Sequence, residues 1–286
     1  MEAYVGIHMQ YNRDGSVTMT QPNMIREIFR DYNCCPKAYR VPMDSSFNDA
    51  DQDDSPVVDP IHYMRLLGRL MYVIRTRPDV AYALNRLATR ANRATEKDFK
   101  ALIRVLLYLH HTINLGLRFK RSPNSTENAR RLFCFVDAAF ATHTDSRSHT
   151  GYCFGMGDVA GMFFARSFKQ SGVTLSSTES ENWAAVEAGK EIIWFRQLLA
   201  ELGFPQTQPT TVYADNASMI TLAEHFSGNH SKVKHFMTRV NFLIEKINDK
   251  TITFQHVRTE DNIADILTKP LGPADFERLR PLLLGM

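Results

Sequence analysis

An aspartate stands inside an apolar run. Leu132-Phe-Cys-Phe-Val-Asp-Ala-Ala-Phe-Ala141 reads as a strand buried on both faces, with Asp137 in its second half. An uncompensated carboxylate there would cost several kcal/mol, a large part of a domain's stability margin. The fold must therefore bring a cation or a donor to it. Three more acids occupy separate settings downstream. Glu181 lies in the opening of a long helical pattern (Ser176-Ser-Thr-Glu-Ser-Glu-Asn-Trp-Ala-Ala185). Asp215 ends a strand-like run (Val212-Tyr-Ala-Asp-Asn216), and Asp265 starts a short helix (Asn262-Ile-Ala-Asp-Ile-Leu-Thr-Lys-Pro270). Acids at strand ends and facing helix starts point to a divalent metal site, whose usual chemistry is phosphodiester hydrolysis.

Each acid except Asp137 also has an ordinary explanation. Glu181 follows Thr178 by three residues and fits a capping box. Asp265 suits the first turn of a helix, and Asp215 can cap the helix that follows it. Glu179 competes with Glu181, and the two point roughly 200 degrees apart on a helix, so one alone can face a site.

The rest of the chain bounds the setting. With 286 residues, two domains are expected. The net charge of +3 hides an uneven distribution, because residues 44–60 carry six Asp and no Lys or Arg. The four cysteines, Cys34, Cys35, Cys134 and Cys153, form no Cys-x-x-Cys pair, which leaves neither a zinc ribbon nor a redox motif. Cys134 and Cys153 fall in apolar strands and are expected as small core residues, an intracellular pattern. No signal-peptide pattern opens the sequence, and no apolar run approaches the roughly 20 residues that span a bilayer.

Periodicity places a strand hairpin over 3–21, turning at Arg13-Asp-Gly15, then helices from Pro22, Pro60 and Pro78 and a capping box at Thr95. The polar stretch 121–131 reads as a linker between a segment at 1–120 and a domain at 132–286. After it come strands near 132–141, 150–157 and 159–166 and a helix over 178–202. A strand at 211–214, helices near 216–226 and 232–247, a strand at 251–258 and C-terminal helices follow. Neighbouring strands followed by strands separated by helices imply an α/β fold with a mixed sheet, an antiparallel meander extended by parallel strands. Ligands of open sheets bind beyond strand C-terminal ends, where Asp137 and Asp215 fall.

Val136-Asp-Ala-Ala-Phe-Ala141, Asp145-Ser-Arg-Ser-His-Thr-Gly-Tyr152, Ser176-Ser-Thr-Glu-Ser-Glu181, Tyr213-Ala-Asp-Asn216, His230-Ser-Lys-Val-Lys-His235 and Ala264-Asp-Ile-Leu-Thr-Lys-Pro270 together resemble the ribonuclease H domain of Ty1/copia-type retrotransposon Pol polyproteins. Tyr4-Val-Gly-Ile-His8, Tyr63-Met-Arg-Leu-Leu-Gly68, Thr76-Arg-Pro-Asp-Val-Ala-Tyr82 and Arg104-Val-Leu-Leu-Tyr-Leu109 are similar to the family's region after the polymerase palm. The resemblance implies a ribonuclease H-like five-stranded mixed sheet with flanking helices, preceded by a helical thumb- or connection-like segment with a β-hairpin. It places catalytic, metal-holding carboxylates on Asp137, Glu181, Asp215 and Asp265. The implied cofactor is a pair of Mg²⁺ ions, with Mn²⁺ as a substitute. The implied substrate is the RNA strand of an RNA–DNA hybrid, distinguished by its 2′-hydroxyls. His230, Lys232, Lys234 and His235, with Asn216 and Ser177, are the residues expected to touch nucleic acid. A solvated helix start explains the basic ones equally well.

No Tyr-x-Asp-Asp tetrapeptide occurs, so the resemblance starts downstream of a polymerase site and an upstream palm would be a partner. The expected location is intracellular, in a cytoplasmic particle or the nucleus, with no membrane partner. Two rival readings stay open from sequence: a non-catalytic nucleic-acid-binding remnant of such a polyprotein, and a different metal-dependent nuclease on the same sheet.

Overall fold

A computed structural model describes residues 2–47, 55–120, 130–157, 161–225 and 234–286. Two compact units divide them, one of residues 1–121, 160–162 and 269–286 and the other of 122–159 and 163–268.

The first unit opens with strands β1 (Glu2–Tyr4), β2 (Ile7–Tyr11) and β3 (Val17–Thr20), which pair in antiparallel order. Asp14 makes the expected turn by accepting from Ser16 N and Oγ at 3.0 and 2.6 Å. A fourth strand, β4 (Leu117–Phe119), joins β3 and extends the anticipated hairpin to four strands. Helices α1 (Pro22–Asp31), α2 (Pro60–Val73), α3 (Ala81–Ala88) and α4 (Glu96–His111) follow the predicted order. Thr95 and Asp98 form the anticipated capping box at the head of α4. Ile25, Ile28, Tyr63, Leu66, Leu70, Leu84, Leu87 and Leu102 are buried, as their helical spacing requires. Both flanks of the acidic stretch have structural uses: Asp44 pairs with Arg104 at 3.0 Å, and Asp59 caps α2.

The second unit holds the five-stranded sheet. Strands β5 (Leu132–Ala139), β6 (Arg147–Met156) and β7 (Phe164–Val173) form an antiparallel meander. β8 (Thr210–Ala214) pairs parallel to β5, and β9 (Ile252–His256) pairs parallel to β8. The order β7-β6-β5-β8-β9 is a mixed five-stranded sheet, as the family resemblance implies. Helix α5 (Ser177–Glu201) packs on β5 and β6 and against α6 (Ala217–His225) and α7 (Lys234–Asn248). Its inward side is Ala184, Ala185, Ala188, Ile192, Phe195 and Leu199, small near the sheet's site end and bulky at the other. Cys134 and Cys153 are buried core residues, and burial pushes both thiols above their ordinary values.

Three placements differ from the sequence expectation. The third strand runs over Phe164–Val173 rather than 159–166, because Arg166, Ser167, Lys169 and Gln170 on this edge strand leave no apolar alternation to read. β5 is buried on one face through Leu132, Cys134 and Val136, while Phe133 and Phe135 on the other are half-buried and meet Tyr213. The C-terminal helix Pro273–Leu284 groups with the first unit rather than with 132–268. Phe276 meets Tyr108 edge-on, Met162 N donates to Leu283 O at 3.0 Å, and Arg40 pairs with Glu277, all within that unit. Most of the anticipated linker, 121–129, lies outside the described residues.

Arg77 and Asp79, on either side of Pro78, form a fully buried ion pair in the first unit. Arg77 Nε and Nη2 donate to the Asp79 carboxylate at 2.9 and 2.8 Å, and Nη1 donates to Thr112 O at 2.9 Å. Tyr108 completes the group by donating its hydroxyl to Asp79 Oδ2 at 2.5 Å. Burial alone would raise the Asp79 pKa, but the Arg77 guanidinium and these donors outweigh it and hold the carboxyl below its ordinary value. A depressed folded pKa contributes stability above the unfolded value, near about 3.9, and loses it as pH falls through the folded one. Asp79→Ala leaves the guanidinium buried without its anion, and urea titration should show a loss of about 3–5 kcal/mol. Replacing Arg77 and Asp79 together with apolar residues should cost less than Asp79→Ala alone.

Candidate active site

Three of the four predicted carboxylates meet at one end of the five-stranded sheet. One oxygen each from Asp137, Glu181 and Asp215 lies within 4.8 Å of the other two. Asp137 stands near the C-terminal end of β5, Asp215 directly follows β8, and Glu181 lies in the second turn of α5. The parallel pairing of β5 with β8 brings two strand ends side by side, and α5 crosses above to deliver the third acid. Asp137 and Glu181 are buried, and Asp215 is partly exposed, so the cluster opens to solvent on the Asp215 side.

Neighbouring residues perform the capping tasks that the acids were candidates for. Ser176, not Thr178, is the N-cap of α5 and accepts from Glu179 N at 3.1 Å. Glu179 returns its carboxylate to Leu175 N at 2.8 Å, so the capping acid is Glu179, leaving Glu181 to turn inward. Asn216 Oδ1 accepts from Met219 N at 2.9 Å and caps α6, which releases Asp215 from that role. Asn262 caps the short 3₁₀ helix Ile263–Leu267 by accepting from Ala264 N at 3.1 Å. Asp265 belongs to that helix and is buried. It is not one of the three acids whose oxygens converge. Its helix nevertheless lies against the site: Thr268, the C-cap, donates its hydroxyl to Asp137 Oδ2.

The predicted nucleic-acid contacts have mixed placements. Ser177 is exposed at the first position of α5 and Asn216 is spent on the α6 cap. Lys234 and His235 open α7, while His230 and Lys232 lie outside the described residues. His256 sits at the end of β9 with Nε2 3.2 Å from Asp215 O. Arg239 stacks its guanidinium 3.6 Å from the ring centroid of Trp183, two residues beyond Glu181 in the chain.

An all-carboxylate donor set is hard and anionic, and it fits a divalent cation such as Mg²⁺ or Mn²⁺. Two unit charges about 5 Å apart repel by about 3 kcal/mol at an effective dielectric of about 20. The cluster therefore stores repulsion that a bound cation would relieve. Glu181→Gln should raise the melting temperature in chelator, whereas Mg²⁺ should raise that of the parent chain and not that of the variant. Glu179→Ala should behave oppositely, losing about 1 kcal/mol with its cap and keeping the response to Mg²⁺. Thermal melts with and without the ion distinguish the two acids.

No family model matches the chain. Among curated proteins, the chain is 32% identical over 276 residues, 95% of its length, to the Retrovirus-related Pol polyprotein from transposon RE1 of Arabidopsis thaliana. It is 33% identical over 225 residues, 78% of its length, to that from transposon TNT 1-94 of Nicotiana tabacum. To the Transposon Ty1-DR6 Gag-Pol polyprotein of Saccharomyces cerevisiae it is 24% identical over 289 residues, covering 96% of this chain. It spans only 18%, 16% and 16% of these relatives' lengths. Among solved structures, LC11-RNase H1 aligns with 49% of this chain and 93% of its own at a TM-score of 0.38 and 14% identity. The chain belongs to the Pol polyproteins of Ty1/copia-type retrotransposons and corresponds to a part of them.

Proposed function

We propose that this chain is the ribonuclease H part of such a polyprotein and hydrolyses the RNA strand of RNA–DNA hybrids. The convergence of Asp137, Glu181 and Asp215 carries this reading. In the described residues it couples a buried anionic site, open on one side, to the sheet order β7-β6-β5-β8-β9. Asp137, Glu181 and Asp215 would hold divalent ions, and Asp265, on the short helix fastened to β5 but outside the converging trio, is proposed as a further ligand. Divalent ions held by these residues would supply a lowered pKa for the attacking water and neutralisation of the charge on the departing 3′ oxygen. The protein's own part is to fix three carboxylates on rigid elements and leave Asp215 accessible to a phosphate backbone.

The exposed Ser177 hydroxyl and the Arg239–Trp183 stack are proposed as polar and cationic surface for the backbone. His230, Lys232, Lys234 and His235 remain proposed contacts on the approach to α7. The first unit is proposed to extend the hybrid-binding surface as a connection-like segment, which a longer polyprotein would join to a polymerase palm. Polymerisation is not proposed for this chain.

Hybrid cleavage is the direct test. Asp137→Asn and Asp215→Asn should each abolish Mg²⁺-dependent release of labelled RNA while leaving the circular-dichroism spectrum intact, and chelator should do the same to the parent. Cleavage of the hybrid but not of double-stranded DNA would separate this reading from a general metal nuclease. Steeply salt-dependent hybrid binding without cleavage in either Mg²⁺ or Mn²⁺ would instead establish a non-catalytic binding remnant.

A further inference from the structure

Three neighbouring strands fasten the helix that carries Asp265, and each does so differently. From β5, Val136 O accepts from Asn262 Nδ2 at 3.0 Å, at the helix's N-terminal end. From β7, Ser167 Oγ donates to Leu267 O at 2.7 Å, at its C-terminal end. Since the Ser167 proton is used there, its oxygen accepts from His149 Nε2 at 2.8 Å. His149 Nδ1 then accepts from His143 Nε2 at 3.0 Å, so a buried histidine pair backs the serine. From β6, Gly151 supplies room. A Cβ there would lie 2.6 Å from Thr268 Cγ2 and 2.7 Å from Leu267 Cβ.

Gly151 is also the register partner of Asp137 across the β5–β6 ladder, so residues 267–268 come down on the face that carries the acid. The outcome is a fully buried Thr268 whose hydroxyl reaches Asp137 Oδ2. An aspartate carboxylate rotates in a broad, roughly two-fold well unless a partner fixes it. Ligating carboxylates owe their orientation to such outer partners.

We infer that Thr268 is a positioning residue for the metal-holding carboxylate. By occupying Oδ2, its hydroxyl fixes the rotation of Asp137 so that the group stays aimed at Glu181 and Asp215. The same contact ties the Asp265 helix to the first acid, so both are placed by one side chain. This inference rests on the proposed reading that the cluster holds a divalent ion.

The test compares the full chain with Thr268→Val, Thr268→Ser and Asp137→Asn, using calorimetric titration with Mn²⁺ alongside hybrid cleavage. Valine keeps the shape of threonine without the donor, and serine keeps the donor. Thr268→Val should bind Mn²⁺ about 10–100-fold more weakly, the usual effect of removing an outer partner of a ligand, with cleavage reduced in parallel. Thr268→Ser should stay close to the parent in both. A hydroxyl that serves stability alone would lower the ion-free melting temperature of Thr268→Val without changing its Mn²⁺ affinity, and that result overturns the inference. If Asp137→Asn loses the ion while Thr268→Val binds it like the parent, the inference fails and the proposed function stands. If Asp137→Asn also binds like the parent, the metal reading itself fails. Should the valine chain not fold, Thr268→Ala, which leaves space beside the carboxylate, replaces it in the same titration.

Discussion

Three carboxylates held within 4.8 Å of one another repel, and the second unit is organised to hold them there. Mutual repulsion of this size, about 3 kcal/mol for a pair at an effective dielectric of about 20, would splay flexible side chains apart. The acids instead come from elements that cannot move independently: a central strand, the end of its parallel neighbour, and the opening of a 25-residue helix packed on the central strand. Small residues on α5, Ala184, Ala185 and Ala188, let that helix lie close to the sheet near its start. The apolar core beneath thus supplies the work that keeps like charges together.

Around each acid the fold separates structural from chemical duty by one or two positions. Glu179 and Ser176 satisfy the head of α5, so Glu181 is left to the cluster. Asn216 caps α6, so Asp215 does not have to. Asn262 caps the last short helix and grips Val136 O as well. Backbone donors at helix starts demand partners, and these polar neighbours provide them. The caps thereby fix the backbone that carries each neighbouring acid.

That division explains what could be read from the sequence. Asp137 was legible because a charge directly after Phe133-Cys-Phe-Val136 has no ordinary explanation; helical geometry let only one of Glu179 and Glu181 face a site, and the family resemblance chose Glu181. The order of strands and helices followed from periodicity wherever one face was apolar. β7 was misplaced because its polar residues, among them Ser167, Lys169 and Gln170, carry no such signal. The grouping of Pro273–Leu284 with the first unit was hidden for another reason. Amphipathicity shows that a helix has a partner but not which one, and the contacts of Phe276 and Glu277 lie well over a hundred residues away. The seat made by Gly151, Ser167 and Thr268 was equally silent, since a glycine, a serine and a threonine on separate elements form no pattern along the chain.

Both units bury carboxylates, and the way each is compensated separates structure from chemistry. Asp79 faces Arg77, with the Tyr108 hydroxyl as a further donor, and its charge is balanced within the protein for as long as the protein is folded. Asp137 receives the neutral hydroxyl of Thr268 and stands among two further acids. A fixed guanidinium leaves nothing for a solute cation to do, whereas a hydroxyl orients a carboxylate and leaves its charge in place. On the proposed reading the balance of the cluster is completed by an exchangeable ion, whereas that of Asp79, although more deeply buried, is not. What separates the two buried acids is the kind of partner the fold gives them.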